Sequence, residues 1–445
     1  MLPASSRFSP LPVLGVCLAL AACDTRDPVP QERGPGAAEF QAPTQARTLQ
    51  PAGPPLRCAD DGWTTYAHDA ARTGTSAGCL FGPLRASWTF APKQVDGTPS
   101  HAARVVATAD GVFATGGIGP TPTIWRLNPA TGAIVWRYVT MADATRDGWP
   151  TLAPGKVMLI DDGVYSIDAQ TGHGHRGEFD AWGESLTDGE RLYAENNRYW
   201  DGYGLSVSAF DLEARKLWRR DYQALVRFYT PPDVGGVAMA DGRLVHAAQH
   251  GPLATTGLSA FDPGSSERVW RIAVSPQSSP SIADGLVFTV ESSKGEAIDR
   301  LAARSLADGT LAWERETADA HGPAPLLARG MVIVHARKSV TAYDRRTGAP
   351  AWSTQLPRTA DAVQSATTMA AAEGSGTLVV LSGRTIHLLD LTDGRERSSL
   401  EVAPHAKRLE GPVVAGGAVY VVADGMLVRF EDAAVRDASL RASLQ

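Results

Sequence analysis

The stretch LNPATGAIVW at 127–136 returns, changed but recognisable, as YDRRTGAPAW at 343–352. Both place Asn or Asp first, Gly four residues later and Trp eight later. The same frame fits Asp168 with Gly172, Asp262 with Trp270, Ser305 with Gly309 and Trp313, and Asp390 with Gly394. Asp211 with Trp218 fits with one residue deleted. The first positions lie 40, 43, 51, 43, 39 and 46 residues apart, and Glu431 continues the series at 41. Within each interval three more short apolar runs alternate with turn signals. In the sixth unit these are PAPLLA, MVIVHA and SVTAYD; in the eighth, GPVVA, AVYVVA and MLVRFE. Asp-Gly and Gly-Gly pairs between the runs supply the positive φ that tight hairpins need. Units of this length made of four antiparallel strands predict an all-β fold, a β-propeller.

The eighth unit has three runs and then the tail EDAAVRDASLRASLQ, with no Trp strand. Residues 83–90, PLRASWTF, are a Trp strand with no unit. Joined, they complete an eighth blade, with the N-terminal strand closing the ring and removing both open edges. Within the repeat, Asp or Asn accepts hydrogen bonds from turn amides and Gly takes the left-handed position. Trp88, Trp136, Trp218, Trp270, Trp313 and Trp352 are expected to dock between adjacent blades. Arg176 and Ser398 stand where two further Trp would be, so blades two and seven are expected to be the looser ones.

The frame Asp-x-x-Thr-Gly-x-x-x-Trp resembles the repeat of pyrroloquinoline-quinone (PQQ)-like propellers. The stretch WTTYAHDAARTG at 63–74 resembles the lead-in segment that many such secreted proteins carry. The resemblance covers residues 58–431. It implies the fold and two possible kinds of function: PQQ-dependent dehydrogenases, and non-enzymatic lipoproteins similar to the outer-membrane assembly factor BamB. Methanol-dehydrogenase-like enzymes hold the quinone against adjacent cysteines, beside a calcium held by acidic and amide side chains. This chain has no Cys-Cys pair and no block matching those ligands, so no catalytic, cofactor or metal residue is carried over, and PQQ with calcium stays an open alternative. His173 and His175 in TGHGHRG have metal-binding spacing but no third ligand nearby, and a solvated turn is the better reading.

Five regions follow from the sequence. Residues 1–22 carry one basic residue, Arg7, and an apolar run too short to span a bilayer, as in a signal peptide. The run ends in Leu20-Ala21-Ala22-Cys23, which resembles the bacterial lipobox and implies lipid on Cys23. Residues 23–57 are Pro-rich and poor in large apolar side chains, a tether rather than a domain. Residues 58–82 hold Cys58 and Cys79, an even pair for an oxidising compartment; a disulfide is expected, with free thiols the alternative. The propeller occupies 83–431, and 432–445 is a tail. The whole chain has 42 basic against 48 acidic residues and no basic block, so nucleic acid is not an expected partner.

The remaining signal is loop length. Loops joining second to third strands are expanded in blades three, four and five, at 196–204, 249–257 and 292–299. The first carries Tyr199, Trp200 and Tyr203, and inter-blade loops of the same face add Trp149, Trp182, Phe228 and Tyr229. Aromatic loops clustered on one face predict a partner-binding surface. For Trp149 and Trp182 a place as plugs of the central channel is the competing expectation. The expected molecule is an envelope lipoprotein, anchored at the outer membrane or alternatively the inner one. It would be a monomeric propeller that binds protein partners, the barrel-assembly machinery being the specific version and a glycan- or protein-binding surface module the alternative.

Overall fold

The computed structural model describes residues 58–432 apart from 59–61, 94–99, 118–121, 141–147, 162, 178–182, 197–205, 222–234, 249–256, 293–298, 318–322, 337–338, 357–367 and 404. Within these residues the chain forms eight antiparallel sheets, and the one helix is a short 3-10 turn at Glu373–Ser375. Blade one is Ala102–Thr108, Gly111–Gly116, Thr123–Leu127 and Ile134–Val139, counted from the axis outward. Blades two to seven repeat this order, with innermost strands beginning at Thr151, Ser185, Gly235, Ser281, Leu326 and Met369. Blade eight is split as the sequence predicts. Its three inner strands are Leu409–Ala415, Ala418–Ala423 and Met426–Asp432, and its outer strand is Leu84–Phe90, paired from Leu84 with Asp432 to Phe90 with Leu427.

Strand position dictates composition. Middle strands such as Ala418–Ala423 are buried on both faces and are uniformly apolar, since neighbouring blades cover each side. Outer strands alternate, as in Pro350–Gln355, because one face meets solvent. The inner hairpins turn on pairs with positive φ at both residues, including Asp241-Gly242, Asp284-Gly285, Arg329-Gly330 and Gly416-Gly417, the geometry that matches strand twist.

The repeat motif is one device shared by two blades. In blade six, Asp344 Oδ1 accepts from the backbone of Arg346 at 3.1 Å, and from Thr347 N and Oγ1 at 2.8 Å each. This fixes the turn into the outer strand, with Gly348 at φ +68°. A register shift then skips Ala351, the residue before the motif Trp: Ala342 faces Trp352 while Tyr343 faces Pro350. The same shift precedes each of the other five motif Trp. Such a bulge re-aims the following side chain. It also explains why the skipped residues Leu217 and Val269 are exposed. Each Trp Nε1 donates to a carbonyl in the motif turn of the next blade, at 2.9–3.1 Å: Pro129, Ala169, Pro263, Leu306, Arg345 and Leu391 in order. Five of the six rings also lie on the motif Gly of that turn, where a Cβ on Gly132, Gly172, Gly309, Gly348 or Gly394 would sit 3.0 Å or less from the ring.

The two seams without Trp are closed differently, so the expected looseness has no open gap behind it. Between blades two and three, Ser166 Oγ donates to Leu212 O at 2.6 Å, the equivalent carbonyl. Gly177 comes so close to Ala214 that any Cβ would overlap it. Between blades seven and eight there is no motif turn to dock on, because the split blade lacks one. The chain arrives there instead at Gly82, facing Leu388 and Ser398, and Phe81 N donates to the Asp432 carboxylate.

Candidate functional site: the axial channel and its strap

The lead-in segment is inside the propeller. Trp63 and Ala107 of blade one exchange both backbone hydrogen bonds, and Leu152 N of blade two donates to Thr64 O. Thr65 Oγ1 donates to Ser185 O of blade three. Met239 N, Ile282 N, Leu327 N and Ala371 N, from blades four to seven, donate in turn to the carbonyls of Ala70, Ala71, Thr73 and Gly74. Thr75–Ser76 then pairs in parallel with Ala371–Ala372. Residues 63–76 are thus a strap that bonds to the innermost strand of every continuous blade. It lies near the ends of those strands that lead into the inner hairpins, on the same side as the motif turns. Cys58 and Cys79 are joined in a disulfide across its two ends, with Cα atoms 5.1 Å apart.

Arg72 is the fixed point of the strap. It is fully buried. Its Nε donates to Val237 O at 2.8 Å, Nη2 to Ser185 O at 2.9 Å, and Nη1 to Thr65 Oγ1 at 3.3 Å and to Tyr66 O. Those acceptors tie the strap to blades three and four. The guanidinium also lies 3.8 Å from Glu184 and 5.0 Å over the Tyr66 ring.

Three residues before the strap-bonded positions stand Arg104, Trp149, Gly236, Ser279, Ala324 and Thr368; a Cβ on Gly236 would meet Ser279 Oγ at 2.5 Å and Glu184 Oε2 of blade three at 2.8 Å. Trp149 is buried. Its ring meets the Tyr66 ring edge-on at 5.3 Å, and the Arg104 guanidinium covers it at 5.2 Å. Arg104 in turn pairs with Glu410 at 2.6 Å, across the seam between blades one and eight. Trp149 is therefore a channel plug and not an exposed anchor, because the strap offers it an aromatic partner that the sequence reading did not place there. Burial pushes the Glu184 carboxyl up to about 8, against the pull of Arg72. Burial likewise raises the Tyr66 hydroxyl, which accepts from Ala324 N at 3.3 Å. A cavity beside the axis, between Val290, Ala324, His335 and Met369, has a volume of about 10 Å³, room for one water. His335, on its wall, is lowered to about 4 by burial and by His387.

Trp182, Tyr199, Trp200, Tyr203, Phe228 and Tyr229 lie outside the described residues, as does Cys23. What is described is the frame beneath two of the expanded loops. Glu195 and His246, on the strands leading into them, form a buried pair at 3.1 Å. His175 is exposed, with Nε2 3.1 Å from Glu213 O, and among the described residues no group of three His, Cys, Asp or Glu could hold a metal. Tyr66, Arg72 and Glu184 were missed as site residues. For Tyr66 and Arg72 the one signal was the lead-in stretch itself, whose Ala67, His68 and Arg72 take positive φ without being Gly, a conformation held only by surrounding structure; Glu184 had none.

A family model described as "Outer membrane protein assembly factor BamB" matches residues 203–322 and 254–439, together more than half the chain. No curated protein matches it by sequence. Among solved structures, BamB from Moraxella catarrhalis superposes with a TM-score of 0.57 at 16% identity, covering 79% of this chain and 98% of that one. The quinohemoprotein alcohol dehydrogenase ADHIIG from Pseudomonas putida HK5 gives 0.59 at 12% identity, covering 83% and 80%. A europium-containing methanol dehydrogenase gives 0.56 at 11%, covering 83% and 98%. At these identities the structural likeness is one of fold, shared by binding proteins and enzymes alike. With the family match, the eight blades and their split closure, the chain belongs to the PQQ-like propeller family of the outer membrane protein assembly factor BamB.

Proposed function

We propose that this protein is a lipid-anchored propeller of the cell envelope that acts by binding other proteins, in the assembly of outer-membrane β-barrels. The observation that carries this reading is the filled axis. Tyr66, Arg72 and Trp149 occupy the core of the channel with buried, mutually satisfied contacts, so the propeller's central space is used for its own cohesion. The two cysteines near the propeller are joined at the strap and form no adjacent pair that would back a quinone. Recognition is then left to loops, and the loops of blades three, four and five, with Tyr199, Trp200 and Tyr203, are the proposed partner surface. Lipid on Cys23 would hold the domain at the outer membrane through the Pro-rich tether, on the periplasmic side where barrel precursors arrive.

The test is in-cell crosslinking of the full-length protein, with mass spectrometry of the captured partners. Recovery of barrel-assembly components, lost when Tyr199, Trp200 and Tyr203 are changed to Ala, is the expected result. Recovery of none would end the assembly reading, and capture unchanged by the three substitutions would move the surface elsewhere.

A further inference from the structure

Four large apolar side chains are exposed among the described residues: Leu217, Val269, Leu311 and Met426. Three of them stand on the outer strands of consecutive blades: Leu217 in Lys216–Asp221 of blade three, Val269 in Arg268–Ile272 of blade four and Leu311 in Leu311–Thr317 of blade five. Charge singles out the first two of these strands. The blade-three strand carries Lys216, Arg219 and Arg220 against Asp221, and the blade-four strand carries Arg268 and Arg271 with no acidic residue. Every other outer strand has one basic residue at most, in a chain whose net charge is −6. The carboxylates of the adjoining turns are largely engaged. Asp211 and Asp262 accept from turn amides, and Glu213 pairs with Lys156 at 2.9 Å; exposed Glu267, next to Arg268, offsets one basic charge. The two basic strands share a seam. Trp218 Nε1 donates to Pro263 O at 3.1 Å and Arg220 Nε to Ser266 O at 2.9 Å, in the turn that leads into Arg268. They form one sector of the rim, on which Lys216, Arg268 and Arg271 are exposed together with Leu217 and Val269.

We propose that the rim of blades three and four is a docking face for an anionic phospholipid surface. Protein partners are gripped mainly through aromatic anchors. Here the rings of Trp218 and Trp270 are turned into the seams, onto Pro263 and Leu306, and what is exposed is single aliphatic side chains among basic ones. That combination suits a bilayer: Lys and Arg meet anionic headgroups, and aliphatic side chains enter the headgroup boundary. Docked this way, the propeller stands edge-on to the membrane, and both of its loop faces stay open to partners. The proposal takes from the lipid anchor proposed above only which surface is at hand; its test uses a chain that carries no lipid, so either reading can fail without the other.

The experiment is vesicle flotation of the chain without its signal peptide, residues 23–445 with Cys23→Ser. The vesicles are phosphatidylglycerol with phosphatidylethanolamine, or phosphatidylcholine alone. The chain should float with the anionic vesicles at low salt and stay behind with the neutral ones. Removing one basic residue at such a surface weakens binding about fivefold, so Lys216→Gln, Arg268→Gln and Arg271→Gln together should weaken it about 100-fold. Arg85→Gln, Arg346→Gln and Arg395→Gln, at exposed positions of other blades, remove the same charge and should leave binding nearly unchanged. Leu217→Ser with Val269→Ser should keep the low-salt attraction and lose the binding that survives about 0.5 M salt, where charge is screened. No flotation with anionic vesicles, or equal flotation with neutral ones, would overturn the proposal. Equal weakening by the two triple variants would reduce the effect to net charge and overturn it as well. Capture of soluble polyglutamate in place of vesicles would assign the face to an acidic protein. Dimers that vanish in the Leu217→Ser, Val269→Ser variant, with no vesicle binding, would assign it to a second copy of this chain; either result overturns the lipid reading.

Discussion

Replacing Trp270 with Ala should weaken one seam of the ring by a calculable amount. The ring is buried, packs in a cluster with Ile282, Val287 and Leu306, and lies against Gly309 of the next blade. Its Nε1 donates to Leu306 O at 2.9 Å in a buried setting. Truncation of a buried Trp to Ala costs about 3–5 kcal/mol in transfer and cavity energy. Trp270→Phe separates the parts. It keeps most of the apolar ring but leaves Leu306 O without its donor, a loss of about 1–2 kcal/mol. Urea unfolding gives the totals. Hydrogen exchange gives the location, through the Gly309 and Ser305 amides that close the blade-five turn. Those amides should lose protection well before Gly348, whose turn belongs to another seam and is covered by Trp313. A Trp270→Ala cost below about 1 kcal/mol, or a loss spread evenly over both turns, would refute the idea that the motif is an inter-blade latch.

Arg72→Met should destabilise the whole propeller by about 3–5 kcal/mol, the range for stripping one partner from a buried, hydrogen-bonded charge, and urea titration would show it. Glu184 is raised in the folded state from the ordinary carboxyl range to about 8. The folded chain therefore binds the extra proton between those values, and this group lowers stability as pH rises through that window. Glu184→Gln should flatten that slope in unfolding midpoints taken from pH 5 to 9; an unchanged slope would mean another group carries it. The motif carboxylates behave oppositely. Asp168, Asp262 and Asp344 are held low by turn N–H and hydroxyl donors, so their contribution is present above the unfolded value of about 3.9 and is lost as pH falls through the folded one. Asp344→Asn should lose little at neutral pH, because Asn128 accepts the same two backbone N–H bonds in blade one. It should shed that residue's share of acid sensitivity below about pH 4, read as a smaller drop in thermal midpoint.

The blades were legible because each repeats a local rule: period-two burial, positive-φ turn pairs and a motif whose spacing is fixed by one bulge. The split closure was legible as well, since a lone Trp strand at 83–90 and a three-strand unit at the other end have only each other to pair with. The strap was half legible. Its sequence stood out, but a segment that crosses seven blades carries no periodicity to say where it goes. Arg72 could not be placed for the same reason: its acceptors, at Ser185 and Val237, are backbone carbonyls, which leave no trace in residue identity. Trp149 was read as equally fit for surface or plug, because a loop aromatic takes its role from what faces it, and Tyr66 faces it from a distant part of the chain.

The strap also sets an order in time. It leaves the ribosome before any blade exists, yet its partners run from Ala107 to Ala371, and Phe81 waits for Asp432, the last described residue of the domain. Bonds across such separations form only after the intervening chain is synthesised and compact. The first folded-domain residues to be made are thus among the last to find their places, and until then seven growing blades have an empty hub and an open rim. During that interval the nascent chain is most exposed to wrong partners, and its yield in the cell should depend more on how it is escorted then than on the stability of the finished ring.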